Sequence, residues 1–316
     1  MAKRRRKKIE KSYLKITAII SCFLLLAIFR IFDYSGIITY RSISVTVGLN
    51  EQAASYAEDS TTVHFIDVGQ GQCVLISSDG HNMLIDGGER EYSSKIISYI
   101  QNLGIEKLDY VIASHPHSDH IGGLSGVIDY FEVDMIIAPV VPDELIPTSN
   151  SYFNFLDAVK RNGRGLTKAI PGESYTLGNS EFTIIAPLSQ ESDDLNDYSV
   201  VCLFEYGANT ALFGGDASKY EEADIIKSGA DVDADLLNVF HHGSSSSSSE
   251  ELLYRISPDY CVIMCGADNS YGHPNESTIE RLEVFTDNIY RTDLQGTIVC
   301  EMDGNGNYKF FSERDN

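Results

Sequence analysis

The stretch VIASHPHSDHIGG at residues 111–123 sets the terms for any fold this chain can adopt, because it packs His115, His117, Asp119 and His120 into six positions. Val111, Ile112 and Ala113 read as the end of a short buried strand, and Gly122 and Gly123 as a tight exit into a helix. The four polar side chains therefore sit on a strand-to-helix loop, the kind of place where a rigid scaffold positions chemistry. On an extended backbone His115 and His117 point the same way, whereas Asp119 and His120 follow the turn toward a neighbouring second position. That spacing suits two metal ions sharing one loop. A merely solvated loop has no reason to concentrate ligands in this way.

Around the loop, short apolar runs alternate with helical spacing. VHFIDV, QCVLIS and NMLID read as strands separated by glycine-containing turns, and SKIISYIQNLG as a helix with a glycine C-cap. LDYVIAS leads into the loop; a helix, the strand VDMIIAP and the helix FNFLDAVKRNG follow. From EFTIIAP the pattern begins again, with SVVCLFEY and TALFGG as a hairpin, EEADIIKSG as a helix and DLLNVF as a strand ending at His241 and His242. DYCVIMC, TIERLEVF and GTIVCEM complete the series. Two similar halves of strands with helices outside imply an α/β fold, a four-layer αββα sandwich with the site at the sheet edge between halves. GQGQ at 69–72 lies between two short strands with no helix after it, so it reads as a turn rather than a phosphate loop. In the serine run 244–249, Ser248 and Glu251 form a capping box for EELLYRI, and Ser244, beside the histidines, is a candidate contact for a phosphate oxygen.

The HxHxDH pattern resembles the signature of the metallo-β-lactamase superfamily, and the resemblance extends beyond that loop. NMLIDGG places Asp86 at a strand end, as the superfamily's first motif does, and LFGGD places Asp216 where the resemblance implies a carboxylate bridging both metals. FHHGS supplies the last histidine ligand, assigned to His242 because relatives commonly follow it with a small residue, with His241 beside it. FIDVGQGQ at 65–72, NDYSVV at 196–201, HHGS at 241–244, YGHP at 271–274 and YRTDLQGTI at 290–298 are similar to the hydrolase domain of the ComEC competence proteins. Together they cover most of residues 61–312. Asp86 is then expected to orient the histidine loop by hydrogen bonding, and His273 to contact substrate or act as an acid toward the leaving group. Gln72 departs from the acidic residue that many relatives carry there.

The histidine census adds a constraint. All eight are His64, His81, His115, His117, His120, His241, His242 and His273, so none falls between 120 and 241, where superfamily members usually place a third histidine for the first metal. Asn196 or Asp197 is the oxygen ligand available in that region, with water as the other choice. One well-formed position is expected from Asp119, His120, Asp216 and His242, and a poorer one from His115, His117 and Asp216. Mixed nitrogen and oxygen ligation without thiolate suits two divalent ions, Zn2+ or Mn2+. Asp119 is also a candidate catalytic residue. His64, on a strand face, and His81, in a turn, read as structural.

The first residues differ from the rest. Residues 1–12 form a basic tail, and 13–32 form a 20-residue apolar segment, about 30 Å long as a helix and just enough to span a bilayer. No small-x-small cleavage site follows it, so it reads as a signal-anchor. Positive charge before the span places the remainder outside the cell membrane, single-pass, with membrane lipid as a partner. Residues 33–60 have no clear period and read as a stalk; 61–312 form the hydrolase domain. Residues 1–32 carry net +8, which leaves −30 for the remainder of a chain whose total is −22. Such a field repels long polyanions. Five of the six cysteines lie dispersed in apolar runs beyond the span and read as core residues. The resemblance implies a metal-dependent phosphodiesterase or nuclease, and the charge confines DNA partners to short or single-stranded pieces. The alternatives are a metallohydrolase of small esters, lactones or cell-wall fragments, with a small-molecule substrate, and a non-catalytic binding protein.

Overall fold

The computed structural model describes residues 60–188 and 191–314. The basic tail, the apolar segment 13–32 and nearly all of the expected stalk lie outside the described residues. Among these, no helix is long and apolar enough to cross a membrane.

Among the described residues fifteen strands form two sheets. In chain order β1 is Thr61–Phe65, β2 Val74–Ser78, β3 His81–Ile85, β4 Lys107–Ile112, β5 Glu132–Ala138 and β6 Leu166–Lys168. The second group is β7 Ser174–Leu177, β8 Ser180–Ala186, β9 Val201–Tyr206, β10 Asn209–Phe213, β11 Leu236–Asn238, β12 Tyr260–Ile263 and β13 Ile289–Arg291, followed by β14 Ile298–Met302 and β15 Tyr308–Ser312. The eight-stranded sheet has the order β15-β14-β1-β2-β3-β4-β5-β6 and the seven-stranded sheet β13-β12-β11-β10-β9-β8-β7. The halves are therefore not purely sequential, as the repeat of the sequence pattern suggests. The last two strands cross back to pair β14 with β1, antiparallel, Val63 opposite Cys300.

The period-2 alternation of strand side chains builds the layers. Val74 and Ile76 of β2 and Met83 and Ile85 of β3 join Cys202 and Phe204 of β9 and Phe213 of β10 in the core between the sheets. Leu75 and Leu84, pointing the other way, pack with Ile96 and Ile100 of the helix Ser93–Asn102 and with Leu124, Val127 and Phe155. On the far side Val201 and Leu203 meet Ile225 of the helix Lys219–Ser228 and Leu252, Leu253 and Ile256 of the helix Glu250–Ile256. Central strands buried on both faces explain why β2, β3 and β9 read as continuous apolar runs. The result is the expected αββα sandwich. All five described cysteines are free and buried, and burial pushes the thiols of Cys202, Cys261 and Cys265 up to about 12.

Helix ends follow their capping residues. Ser149 accepts from Tyr152 N at the start of the helix Asn150–Asn162, and Gly163 ends it at φ 80. The expected capping box at Ser248 falls one residue early. Ser249 caps the helix Glu250–Ile256, while the Ser248 and Ser249 amides donate to the buried carboxylate of Glu222 and Arg281 holds the Ser247 and Ser248 carbonyls. The serine run is thus held as structure, and its hydroxyls are not collected at the site.

His64 is buried in β1 between the Tyr99 hydroxyl at 2.8 Å and Thr62 Oγ1 at 2.9 Å, and burial lowers it to about 3. The unfolded chain, titrating near the ordinary value of about 6.5, then binds the extra proton first, so stability falls as pH drops from there toward about 3. Urea denaturation should show the stability advantage of wild type over His64→Gln shrinking by about 2–3 kcal/mol between about pH 7 and about pH 4.5. A constant gap would contradict the assignment.

Candidate metal centre

The site begins where β3 and β4 end side by side. The Asp86 amide donates to Ile112 O at 2.8 Å, and its fully buried carboxylate accepts from Ser114 N at 2.7 Å, Ser114 Oγ at 2.6 Å, His120 Nδ1 at 2.7 Å and Gln72 Nε2 at 3.1 Å. Asp86 adopts φ 60, a left-handed conformation that a non-glycine residue keeps only where its surroundings enforce it. By accepting the Nδ1–H hydrogen bond of His120, it turns Nε2 inward, the second-sphere device by which carboxylates orient imidazole ligands. Close packing completes the support. A Cβ at Gly123 would collide with the Gly87 carbonyl, and one at Gly71 with the Asp119 carbonyl. GQGQ is accordingly a buttress: Gln72 N donates to Asp119 O at 3.1 Å.

The second sheet brings the remaining groups. Asp216 follows β10, its amide held by Ser199 Oγ at 3.1 Å. His241 and His242 lie on the turn after β11, both left-handed at φ 52 and φ 55, and His242 Nδ1 donates to Met264 O at 2.8 Å so that Nε2 faces inward. Ligand atoms of Asp119, His120, Asp216 and His242 all lie within 4.8 Å of one another. Asp216 Oδ1 is 3.2 Å from His120 Nε2 and 3.5 Å from His242 Nε2, yet it is buried and accepts no hydrogen bond. Two carboxylates, two imidazoles and an orphaned buried oxygen fit a divalent cation.

Charge supports this. Burial opposes protonation of His120, but Asp216, Asp86 and Asp119 outweigh it and hold the ring well above its usual range; His242 is likewise raised against burial by Asp216 and Asp119. Asp216 and Asp119 are depressed against burial, chiefly by His120. A cation entering here needs the Nε2 lone pairs of both rings free of protons, so its affinity falls as pH falls. Burial, then His120, lowers His115 well below its usual value, leaving a neutral ring.

The other predicted residues divide. His115 Nε2 and His117 Nδ1 lie 2.9 Å apart, and His115 Nε2 is 3.9 Å from Asp216 Oδ2. Asn196 and His273 line the same cavity of about 340 Å3 as His117, Asp119, Asp216, His241 and His242, with Asn196 Oδ1 and His273 Nδ1 buried and unpartnered. Burial lowers His273 to about 4, so it contacts this cavity as a neutral ring. Asp197 is a correction: its Oδ2 accepts from Ser192 Oγ at 2.5 Å and its Oδ1 from Ser218 Oγ, which occupies both oxygens away from the cluster. Ser244 is another, since its hydroxyl bonds Ser246 Oγ at 2.9 Å and lies outside the cavity. His81 is exposed and paired with Asp109 at 3.1 Å. Sequence reasoning missed Gln70 and Tyr271, which also line the cavity, and Ser114, whose only signal is a polar residue closing an apolar strand.

A larger cleft of about 1320 Å3 adjoins the cluster at His117. Among the described residues it is lined by Glu144, Glu191, Asp193, Asp194, Asp197 and Asp224, with Lys219 as the one lysine or arginine.

The family profile described as the metallo-beta-lactamase superfamily matches residues 66–267. The chain belongs to this superfamily. Its members are hydrolases, and their fold binds divalent metals, often two. The likeness to ComEC-type competence proteins also holds: the chain is 26% identical to ComE operon protein 3 of Bacillus subtilis (strain 168), over 75% of this chain and 32% of that protein. It is 27% identical to ribonuclease Z of Saccharolobus solfataricus, over 50% of this chain and 60% of that one. The chain thus spans about a third of the length of its competence relative. In structure it is similar in fold to the metallo-beta-lactamase fold protein YhfI from Bacillus subtilis, with a TM-score of 0.50, 16% identity and coverage of 77% of this chain and 100% of that one.

Replacing Asp86 by Asn puts a donor where four donors converge. Titration calorimetry on the metal-free full chain should show affinity for the first equivalent of Zn2+ or Mn2+ falling about 10–100-fold. Unchanged affinity would mean that something other than Asp86 orients His120.

Proposed function

We propose that this chain is a metal-dependent phosphodiesterase, anchored in the cell membrane with its domain outside, that acts on short or single-stranded nucleic acid or on small phosphodiesters. The observation that carries the reading is the convergence of Asp119, His120, Asp216 and His242 on the orphaned Asp216 oxygen. Similarity to a protein named ribonuclease Z, and to ComE operon protein 3, supports phosphodiesters as the substrate class. The anchor rests on the basic start and the apolar segment 13–32.

Divalent cations held there, Zn2+ or Mn2+, would supply Lewis acidity, making a water a better nucleophile and offsetting charge that develops on the substrate oxygens. Asp119, the most exposed member of the cluster at 26%, is placed to accept the proton of the attacking water. His120 and His242 are held in one tautomer by Asp86 and Met264 O, so neither turns away during turnover. His273, on the open wall beside Tyr271, offers a ring N–H to the leaving group; as a neutral ring it hydrogen-bonds that oxygen and is not a stored acid. Asn196 offers an amide to the same cavity.

Six carboxylates and one lysine in the adjoining cleft argue against a long polyanion lying across it. The same wall favours, as a second reading, a hydrolase of uncharged small esters, lactones or cell-wall fragments.

The full chain supplied with Mn2+ or Zn2+ should hydrolyse bis(p-nitrophenyl) phosphate and a short single-stranded oligonucleotide and leave a chromogenic β-lactam intact. Raising monovalent salt should do little harm, because each phosphate neutralised by a side chain would add about −0.7 to the log–log salt slope and few are. Hydrolysis of the lactam alone would move the assignment to the second reading.

A further inference from the structure

We propose that His241 supplies the third imidazole of a second cation position, with His115, His117 and Asp216, in place of the histidine this chain lacks between 120 and 241. The inference rests on the metal-dependent reading above and extends it to a residue that the sequence motif assigns to no position.

The two oxygens of Asp216 are divided between two sets of rings. Oδ1 faces His120 Nε2 at 3.2 Å and His242 Nε2 at 3.5 Å, whereas Oδ2 faces His241 Nε2 at 3.5 Å and His115 Nε2 at 3.9 Å. Beyond His115 stands His117, its Nδ1 2.9 Å from His115 Nε2. His115 Nδ1 is meanwhile engaged with Ser114 Oγ at 3.1 Å, so Nε2 is the ring nitrogen on the side of His117 Nδ1 and Asp216 Oδ2. A carboxylate with imidazoles gathered at each oxygen is the arrangement two cations sharing one bridge require, and a polar wall built for water alone would not need it.

The backbone explains how adjacent residues reach opposite oxygens. His241 (φ 52, ψ 45) and His242 (φ 55, ψ 21) are both left-handed, a conformation costing about 1–3 kcal/mol for each non-glycine residue unless the surroundings impose it. The turn is imposed by His241 N on Gly215 O at 2.9 Å and Ser244 N on His241 O at 2.8 Å. It leaves the two rings 73° apart in plane, each directed at a different Asp216 oxygen. Asn196, whose Oδ1 is buried in the same cavity, is the competing donor, but that oxygen has no hydrogen-bond partner among the described residues.

The test is metal stoichiometry on the purified, metal-stripped full chain, by titration calorimetry with Zn2+ and by elemental analysis after dialysis. His241→Asn and His241→Gly both tolerate the left-handed backbone, and melting curves will show whether they fold. Wild type should bind two equivalents. Both His241 variants should keep the first at wild-type affinity and lose the second by at least tenfold, while Asn196→Ala keeps both and His242→Ala weakens the first. Folded His241 variants that retain two tight equivalents, or loss of the second in Asn196→Ala instead, would overturn the assignment of His241 alone. Wild type binding no Zn2+ or Mn2+ would overturn the metal-dependent reading with it.

Discussion

Asp216 is the constraint on which the rest depends. A carboxylate 3% exposed, with an oxygen that accepts no hydrogen bond, is too costly to keep ionised unless positive charge is brought to it. The protein brings imidazoles to both oxygens and adds a second carboxylate, Asp119, 3.4 Å from His242. A cation seated there needs the Nε2 lone pairs of His120 and His242 free of protons. The cluster is therefore selective for positive charge before any substrate is considered.

The fold delivers the groups by placing strand ends together. His115 to His120 follow β4, Asp216 follows β10 and the histidine pair follows β11, and β10 and β11 run parallel, Phe213 opposite Asn238. Asp86, one strand over from the loop, ties His120, Ser114 and Gln72 to a single buried carboxylate. The left-handed angles at Asp86, His241 and His242 show where backbone comfort yields to the position of a side chain. The acidic cleft beside His117 continues the same negative charge outward.

Much of this was legible in the sequence, for physical reasons that differ by element. β2, β3 and β9 announce themselves because burial on both faces makes their central residues apolar, and the helix ends at Gly163 and Gly229 because a left-handed residue closes them there. The four-residue cluster followed from spacing and resemblance together. What the sequence hid were choices among neighbours. Asn196 and Asp197 offer similar oxygens, and only the structure shows Asp197 consumed by Ser192 and Ser218. His241 and His242 are identical in kind, and which oxygen each addresses depends on two backbone angles that no local pattern specifies. The return of β14 and β15 to the first sheet is a long-range pairing, invisible to periodicity.

Crystals of the full chain grown with Mn2+ or Zn2+, with data collected at the metal absorption edge, test the central claim most directly. The account places two anomalous peaks on opposite sides of Asp216, about 3.5–4 Å apart, one touching Oδ1 and the other Oδ2. A single peak, or two peaks that leave Asp216 untouched, would contradict it.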